Sequence, residues 1–421
     1  MVEPLTGMRV VEMSTALQGP GAGGYLADMG AEVIRVEKPE GDGSRYGRGV
    51  NNDSPPGTPG AQFVSTSRGK KSLAVDANSE MGREAILRLV DTADAFISNF
   101  REAALERMGF GYEALRARNP PLVYAAVNGF GPKGPLAGRA MTDIAAQARG
   151  GVMSLIGEAD GPPERIGATS ADLAGALQFA LGIVTALLAR ERHGMGQKVN
   201  TSAYGAQIWM QSWELTHTAI SGKRLEREGA FHPNVTGMEG IYQTKDDGWV
   251  AISFALTEES WQAMCAFGGH PEVADDERWQ TLSQRVGVSV DDARAIRPYV
   301  AAIFRAHTTV EWESFMEGQP DIIFNRVFNL DDVLNDPQAE ANGYITDIEV
   351  PPLGTIRGVG TLVQLSETPG SVKGPPPELG QHTEEILLEL GYDWEQISAI
   401  NDRTRAAMRA KFIALGMEPP Y

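Results

Sequence analysis

Cysteine is nearly absent from this chain of 421 residues: Cys265 stands alone, which excludes an internal disulfide and any metal site built from several thiolates. Positive charge is also short. Lys and Arg number 37 against 55 Asp and Glu, a formal net charge of −18, and this argues against sequence-independent nucleic-acid binding, which needs a net basic face. No uninterrupted apolar run approaches the roughly 20 residues that a membrane span requires. Met1–Arg9 carries Glu3 and lacks a basic stretch followed by an apolar core, so no secretory signal is visible. The histidines (His193, His217, His232, His270, His307, His382) lack metal-ligand spacing, and a G-x-S-x-G nucleophile elbow is missing. What remains, 42% hydrophobic and 22% charged, is the composition of a folded globular chain, expected in the cytoplasm and long enough for two or three domains.

Strand and helix patterns alternate through the first part. Strands are expected at Met8–Met13, Glu32–Glu37, Ser72–Asp76, Ala95–Asn99 and Leu122–Asn128, with helices near Gly21–Met29, Ser79–Asp91 and Tyr112–Asn119. The strands are apolar on consecutive residues, as in a parallel sheet buried on both faces. Asp172–Arg192 is apolar almost all round and reads as a helix in a core or a subunit interface. A strand at Gln197–Ser202 and a helix at Tyr204–Thr218 follow. The character changes near Arg224–Val235. Beyond it come a hairpin over Ile241–Phe254 turning at Asp246-Asp247-Gly248, and helices at Glu258–Phe267, Val290–Ala306 and Thr309–Glu317. Strands at Ile345–Val350 and Thr355–Val359 lead to helices at Thr383–Leu390, Trp394–Ala399 and Arg403–Leu415.

Three features invite chemistry. Gly19, Gly21 and Gly24 match G-x-G-x-x-G, and Glu37 ends the second strand where an acid meets a ribose in nicotinamide-dependent oxidoreductases. Thr15–Gln18 separate the first glycine from the strand, which that fingerprint does not allow, so the glycines also read as a means of packing the helix tightly on the sheet. Asp172 starts the long apolar helix. Its plain reading is an N-cap; the helix dipole favours its ionised form, and an ionised carboxylate beside an electrophile can act as a nucleophile. Finally, Lys38, Arg45, Arg48, Lys70, Lys71, Arg101 and Arg107 gather in the first domain, either as solvated charges or as a local phosphate site.

Taken in order, these blocks resemble the family III CoA-transferases, which include formyl-CoA transferase, carnitine CoA-transferase and α-methylacyl-CoA racemase. The resemblance rests on GPGAGGYLADMGAEVIRVEKPEGD at Gly19–Asp42, SRGKKSLAVD at Ser67–Asp76, NFREAALERMGFGYEAL at Asn99–Leu115 and DIAAQARGG at Asp143–Gly151. DLAGALQFALGIVTALLARERHGMGQKVNTS at Asp172–Ser202 and PELGQHTEEILLELGY at Pro377–Tyr392 complete it. It implies an α/β fold with a large Rossmann-like, CoA-binding domain carrying a parallel sheet (residues 1–222, completed by 335–421), a smaller α+β domain (223–334), and an interlaced, ring-like homodimer. It further implies CoA transfer from an acyl-CoA donor to a carboxylic acid, with CoA as substrate and no tightly bound cofactor. The family's nucleophile falls on Asp172. Its CoA contacts fall on Leu17, Gln18, Lys38, Val75, Asp76, Ala77, Asn78, Asn99, Phe100, Arg101 and Arg107, with more around Thr142 and Asp143. An intramolecular transfer, isomerising one CoA ester, would use the same residues.

Some positions depart from the family. Racemases place a His before the Asp-Ile pair; here Thr142 precedes Asp143-Ile144, so one of two bases for proton exchange is lacking. No glycine-rich loop occurs around Val235–Tyr242, which argues against formyl or oxalyl substrates. Arg326, beside the apolar Ile322-Ile323-Phe324, is a candidate reader of a second substrate carboxylate, or else a partner of Asp331 or Asp332.

Overall fold

A computed structural model describes residues 2–235, 237–286 and 294–414. The chain forms two compact units, one from Met1–Gly150, Ala168–Met210 and Leu334–Tyr421, the other from Gly151–Gly167 and Gln211–Val333. The first unit holds six parallel strands: β1 (Arg9–Met13), β2 (Glu32–Glu37), β3 (Lys71–Ala74), β4 (Ala95–Ser98), β5 (Val123–Asn128) and β6 (Lys198–Ser202). Their order is β3-β2-β1-β4-β5-β6, so the direction of winding reverses beside β1. Both faces are covered. Val10 and Ile97 point into one core with Leu26, Phe179, Ile183 and Leu187, while Val11 and Phe96 point into the other with Ile86, Leu105, Ile386 and Ile397. Alternation across two buried faces explains the continuous apolar strands.

The long helix, Ser170–His193, lays Phe179, Ile183 and Leu187 on the sheet. It is long and apolar enough, by length and composition, to cross a membrane, which corrects the reading that no segment approaches that length. Isolated polar residues interrupt the apolar run without breaking the helix. The helix expected over Tyr204–Thr218 is instead two, Ala203–Trp209 and Ser212–Ser221, because Gln211 leaves helical geometry at φ −117°, ψ 25°. Conversely, Trp394–Ala414 is one unbroken helix where two, Trp394–Ala399 and Arg403–Leu415, are expected. Exposed Asn and Asp lower helix propensity by only tenths of a kcal/mol, roughly, and packing of Ile397 and Ile400 outweighs that. The last residue of the expected helix, Leu415, lies outside the described residues.

In the second unit β7 (Gly240–Gln243), β8 (Trp249–Ala255) and β9 (Ile322–Arg326) form an antiparallel sheet. Asp247 takes a left-handed φ of 59° in the expected hairpin turn. Trp261, Trp279, Trp312 and Phe304 fill the core behind it. Part of the helix expected at Val290–Ala306 lies outside the described residues; the described part includes a helix at Arg297–Arg305. A third, two-stranded sheet, β10 (Ile345–Val350) with β11 (Gly354–Val359), belongs to the first unit.

Beneath the first β-α unit lies a buried ionic cluster. Glu12 and Lys70 are both fully buried, with Lys70 Nζ 2.5 Å from Glu12 Oε2 and donating to the Pro20 carbonyl at 2.8 Å. Burial pulls the Lys70 ammonium down to about 8, and the Glu12 charge opposes that pull. A Cβ on Gly23 would sit 2.0 Å from Glu12 Oε2, and one on Gly21 2.9 Å from Ala176 Cβ. These two glycines let the Gln18–Asp28 helix approach the ion pair and the long helix. Lys70→Met is expected to cost about 3–5 kcal/mol by leaving Glu12 Oε2 without its ammonium, Ser14 and Arg35 lying only on the other oxygen. Glu12→Gln combined with Lys70→Met is expected to cost less than Lys70→Met alone in urea unfolding; an equal or larger loss contradicts this account.

Candidate active site

Parallel strands bring their carboxyl ends, and the loops after them, to one edge of the sheet, and crevices form where the strand order reverses. The loop after β1 runs through Thr15, Ala16 and Leu17. Ala16 holds a left-handed φ of 60°, an uncommon state for a residue with a Cβ. Asn99, after β4, stitches that loop in place: Thr15 N–H donates to Asn99 Oδ1 at 2.9 Å and Asn99 Nδ2 to the Thr15 carbonyl at 2.6 Å. Leu17 then occupies the position before the Gln18–Asp28 helix, and the buried Gln18 opens it.

Gln18 Nε2 donates to Asp172 Oδ1 at 2.7 Å. Asp172 sits in the first turn of the long helix but does not cap it, which corrects the N-cap reading. Asp143 does so from another element, accepting from Ala171 N–H at 2.8 Å and Asp172 N–H at 3.3 Å. Its other oxygen accepts from Gln147 Nε2 at 2.7 Å. The helix therefore finds its anion in Asp143, and the Asp172 carboxylate is left for other work. The expectation that the helix end would favour the charged form needs revision too. Burial raises the Asp172 carboxyl above the usual aspartate range, the Gln18 bond lowers it, and the Asp143 charge raises it. Thr142 is exposed and gives its carbonyl to Ala146 N–H.

A cleft of about 320 Å³ opens along the ends of β1, β2 and β3. Lys38, Val75, Asp76, Ala77, Asn78 and Phe100 line it, together with Met13, Ser14 and the Gly41–Gly43 loop, which sequence reasoning did not single out. Arg101 precedes the Glu102–Met108 helix, in whose last turn Arg107 lies; neither lines the cleft, although Met108 does. The basic residues separate cleanly. Arg45 makes two bonds to Glu37, Lys70 holds Glu12, Lys71 pairs with Glu32 and Glu385, and Arg48 donates to the Asn52 and Ser54 carbonyls. Among the described residues, Lys38, Arg101 and Arg107 have no ion-pair partner. Glu37, bound by Arg45 and Ser72, is engaged where a ribose-binding acid would need to be open.

Arg326 in the second unit is also engaged. Its Nε lies 2.9 Å from Glu313 Oε1, its Nη2 3.3 Å from Asp332 Oδ1, and its guanidinium covers the Phe328 ring. The pairing with Asp332 is the plainer of the two expectations for Arg326, and Glu313 adds a second carboxylate to it. Among the described residues, no cluster of His, Cys, Asp or Glu suits a metal ion.

The family model for CoA-transferase family III matches residues 5–383. The succinate–glutarate CoA-transferase of Agrobacterium fabrum is 33% identical over 392 residues, covering 92% of this chain and 96% of the relative. The mouse succinyl-CoA:glutarate CoA-transferase is 33% identical over 396 residues, covering 93% and 88%. Among solved structures, a CAIB/BAIF family protein from Brucella suis superposes with a TM-score of 0.80 at 32% identity, covering 93% of this chain and all of that one. A hypothetical protein from Mycobacterium tuberculosis gives 0.76 at 28% identity, covering 92% and 99%. The agreement spans the six-stranded unit and the intervening one alike, and the chain belongs to the family III CoA-transferases.

Proposed function

We propose that this enzyme moves CoA between succinyl-CoA and another dicarboxylic acid, with Asp172 carrying the group between them. The single observation that supports the nucleophile is the freeing of its carboxylate: Asp143 takes the helix N–H groups, and among the described residues only the Gln18 amide holds Asp172 Oδ1. The substrate class rests on the names of the relatives, which act on succinate, glutarate or their CoA esters. CoA is proposed to lie in the β1–β3 cleft, with Lys38 at its wall and Arg101 and Arg107 as nearby unpaired cations for its phosphates.

In the first step an Asp172 oxygen attacks the thioester carbonyl, the C–S bond breaks, and CoA leaves as the thiolate, giving a mixed anhydride. The thiolate then attacks the Asp172 carbonyl and expels the donor acid as its carboxylate. Asp172 now holds CoA as a thioester. The acceptor carboxylate attacks that thioester, and the returning thiolate takes the acyl group from the new anhydride, restoring Asp172. Both intermediates are activated acyl groups, so the thioester energy is conserved without ATP. Gln18 Nε2, already a donor at the carboxylate, is the group proposed to stabilise the oxyanion formed there. The interlaced homodimer is part of the same reading: the long helix leaves Leu173, Leu177, Leu181 and Leu188 exposed, a stripe suited to a second chain.

Asp172→Asn is expected to lower transfer by about 10³-fold or more while CoA affinity holds, because the proposed nucleotide contacts lie elsewhere; retained turnover contradicts the assignment. The attacking carboxyl must be ionised, so kcat/KM should fall toward acid with a limb above the usual aspartate range. Gln18 donates to the ionised form, so Gln18→Ala should move that limb to higher pH. An unmoved limb means that another group sets it.

The substrate class is tested with the purified full chain, a panel of acyl-CoA donors and mono- and dicarboxylic acids, and mass detection of products. Turnover confined to diacid pairs supports the proposal. Preference for monoacids overturns it, and isomerisation of one CoA ester without an added acid reveals intramolecular transfer instead.

A further inference from the structure

The C-terminal helix Trp394–Ala414 lies beyond the residues matched by the family model, yet it reaches the wall of the cleft. The contact is at Asp76, a buried residue of the cleft lining. Asp76 N–H donates to Thr404 Oγ1 at 3.3 Å, and Arg403 Nε stands 3.5 Å from Asp76 Oδ2. The other oxygen of Asp76 is occupied by Asn78 N–H at 3.0 Å, so the carboxylate is oriented by its own turn.

An acidic wall is a poor host for an anionic ligand unless its charge is balanced, because opposed charges in a partly dry cleft interact strongly. Three carboxylates of this wall carry a guanidinium. Glu37 has Arg45 and Asp42 has Arg35, and both of those arginines are buried. Asp76 has Arg403, whose side chain is 62% exposed. The separation of 3.5 Å is that of a loose ion pair, and among the described residues the two Nη groups of Arg403 make no hydrogen bond. A guanidinium held on its Nε edge and open on its Nη groups presents a fork to a phosphate. Pro39 lines both this cleft and a second cavity of about 800 Å³, which the same helix lines with Asn401, Thr404, Arg405 and Met408.

We propose that Arg403 is a CoA-binding residue: its Nη groups take a phosphate of the nucleotide end while Asp76 orients the guanidinium from the Nε side. This rests on the reading that CoA occupies the β1–β3 cleft. The 3′-phosphate and the diphosphate offer the same chemistry, and a truncated ligand separates them.

Isothermal titration of the full-length protein with free CoA and with 3′-dephospho-CoA tests the assignment. Arg403→Ala is expected to raise the Kd for CoA about 10-fold, the scale of one lost charge-assisted hydrogen bond. Arg403→Lys should recover part of that loss, and Arg405→Ala, on the same helix, should stay within about twofold of the wild type. If the Arg403→Ala effect disappears with 3′-dephospho-CoA, the partner is the 3′-phosphate; if it persists, the partner is the diphosphate. Two results overturn the inference: unchanged CoA affinity in Arg403→Ala, or an equal loss in Arg405→Ala, which would mark a diffuse charge effect. Lys38→Ala is the control for the cleft itself. If it weakens CoA binding while Arg403→Ala does not, only the role of Arg403 falls; if neither weakens it, the placing of CoA in the cleft falls as well.

Discussion

The site depends on one carboxylate doing the work usually left to a neighbour. Asp143 fills the open end of the long helix and takes the N–H groups of Ala171 and Asp172. Helix ends carry unsatisfied donors and a partial positive charge, and an aspartate in the first turn ordinarily spends itself on them. With Asp143 in that position, the Asp172 carboxylate is free to face Gln18. The same arrangement sets its acidity. Asp143 adds a like charge, burial removes water, and the Gln18 amide opposes both, leaving the carboxyl easier to protonate than a surface aspartate. A less acidic carboxylate is a better nucleophile, which suits the proposed anhydride chemistry.

That geometry is held from below by close packing. Gln18 reaches Asp172 because its helix presses against the long helix at Gly21 and Ala176. Beneath the same helix, Gly23 clears the buried Glu12–Lys70 pair. The glycine-rich segment is thus a packing device, and the side chain that would otherwise meet a ribose, Glu37, is bound to Arg45 and Ser72.

Much of this was legible in the residues, for identifiable reasons. Parallel strands buried on both faces announce themselves by continuous apolar runs, and the helix Glu258–Phe267 and the strand Ile345–Val350 keep the bounds their patterns suggest. Asp172 stood out through its place before an apolar helix. Its relation to Asp143 did not, because a cap supplied from 28 residues away leaves no local signature. The basic residues could be gathered but not sorted: Arg45 and Lys70 find buried acids through tertiary pairing, while Lys38 does not. Arg326 pairs with Asp332 close by in sequence, as expected, whereas Glu313 approaches it from a different element and left no local signal. The small strand β9 was missed because its residues, Ile-Ile-Phe-Asn-Arg, do not alternate in hydrophobicity although their burial does.

The central claim, that CoA is carried on Asp172, is tested most directly by trapping. The full-length protein is mixed with succinyl-CoA without acceptor, quenched in acid, digested and analysed by mass spectrometry. The account predicts CoA attached as a thioester to the peptide containing Asp172, released by hydroxylamine and lost when acceptor acid is added before the quench. Attachment to a different residue, or no adduct from a preparation that completes transfer once acceptor is supplied, would contradict it.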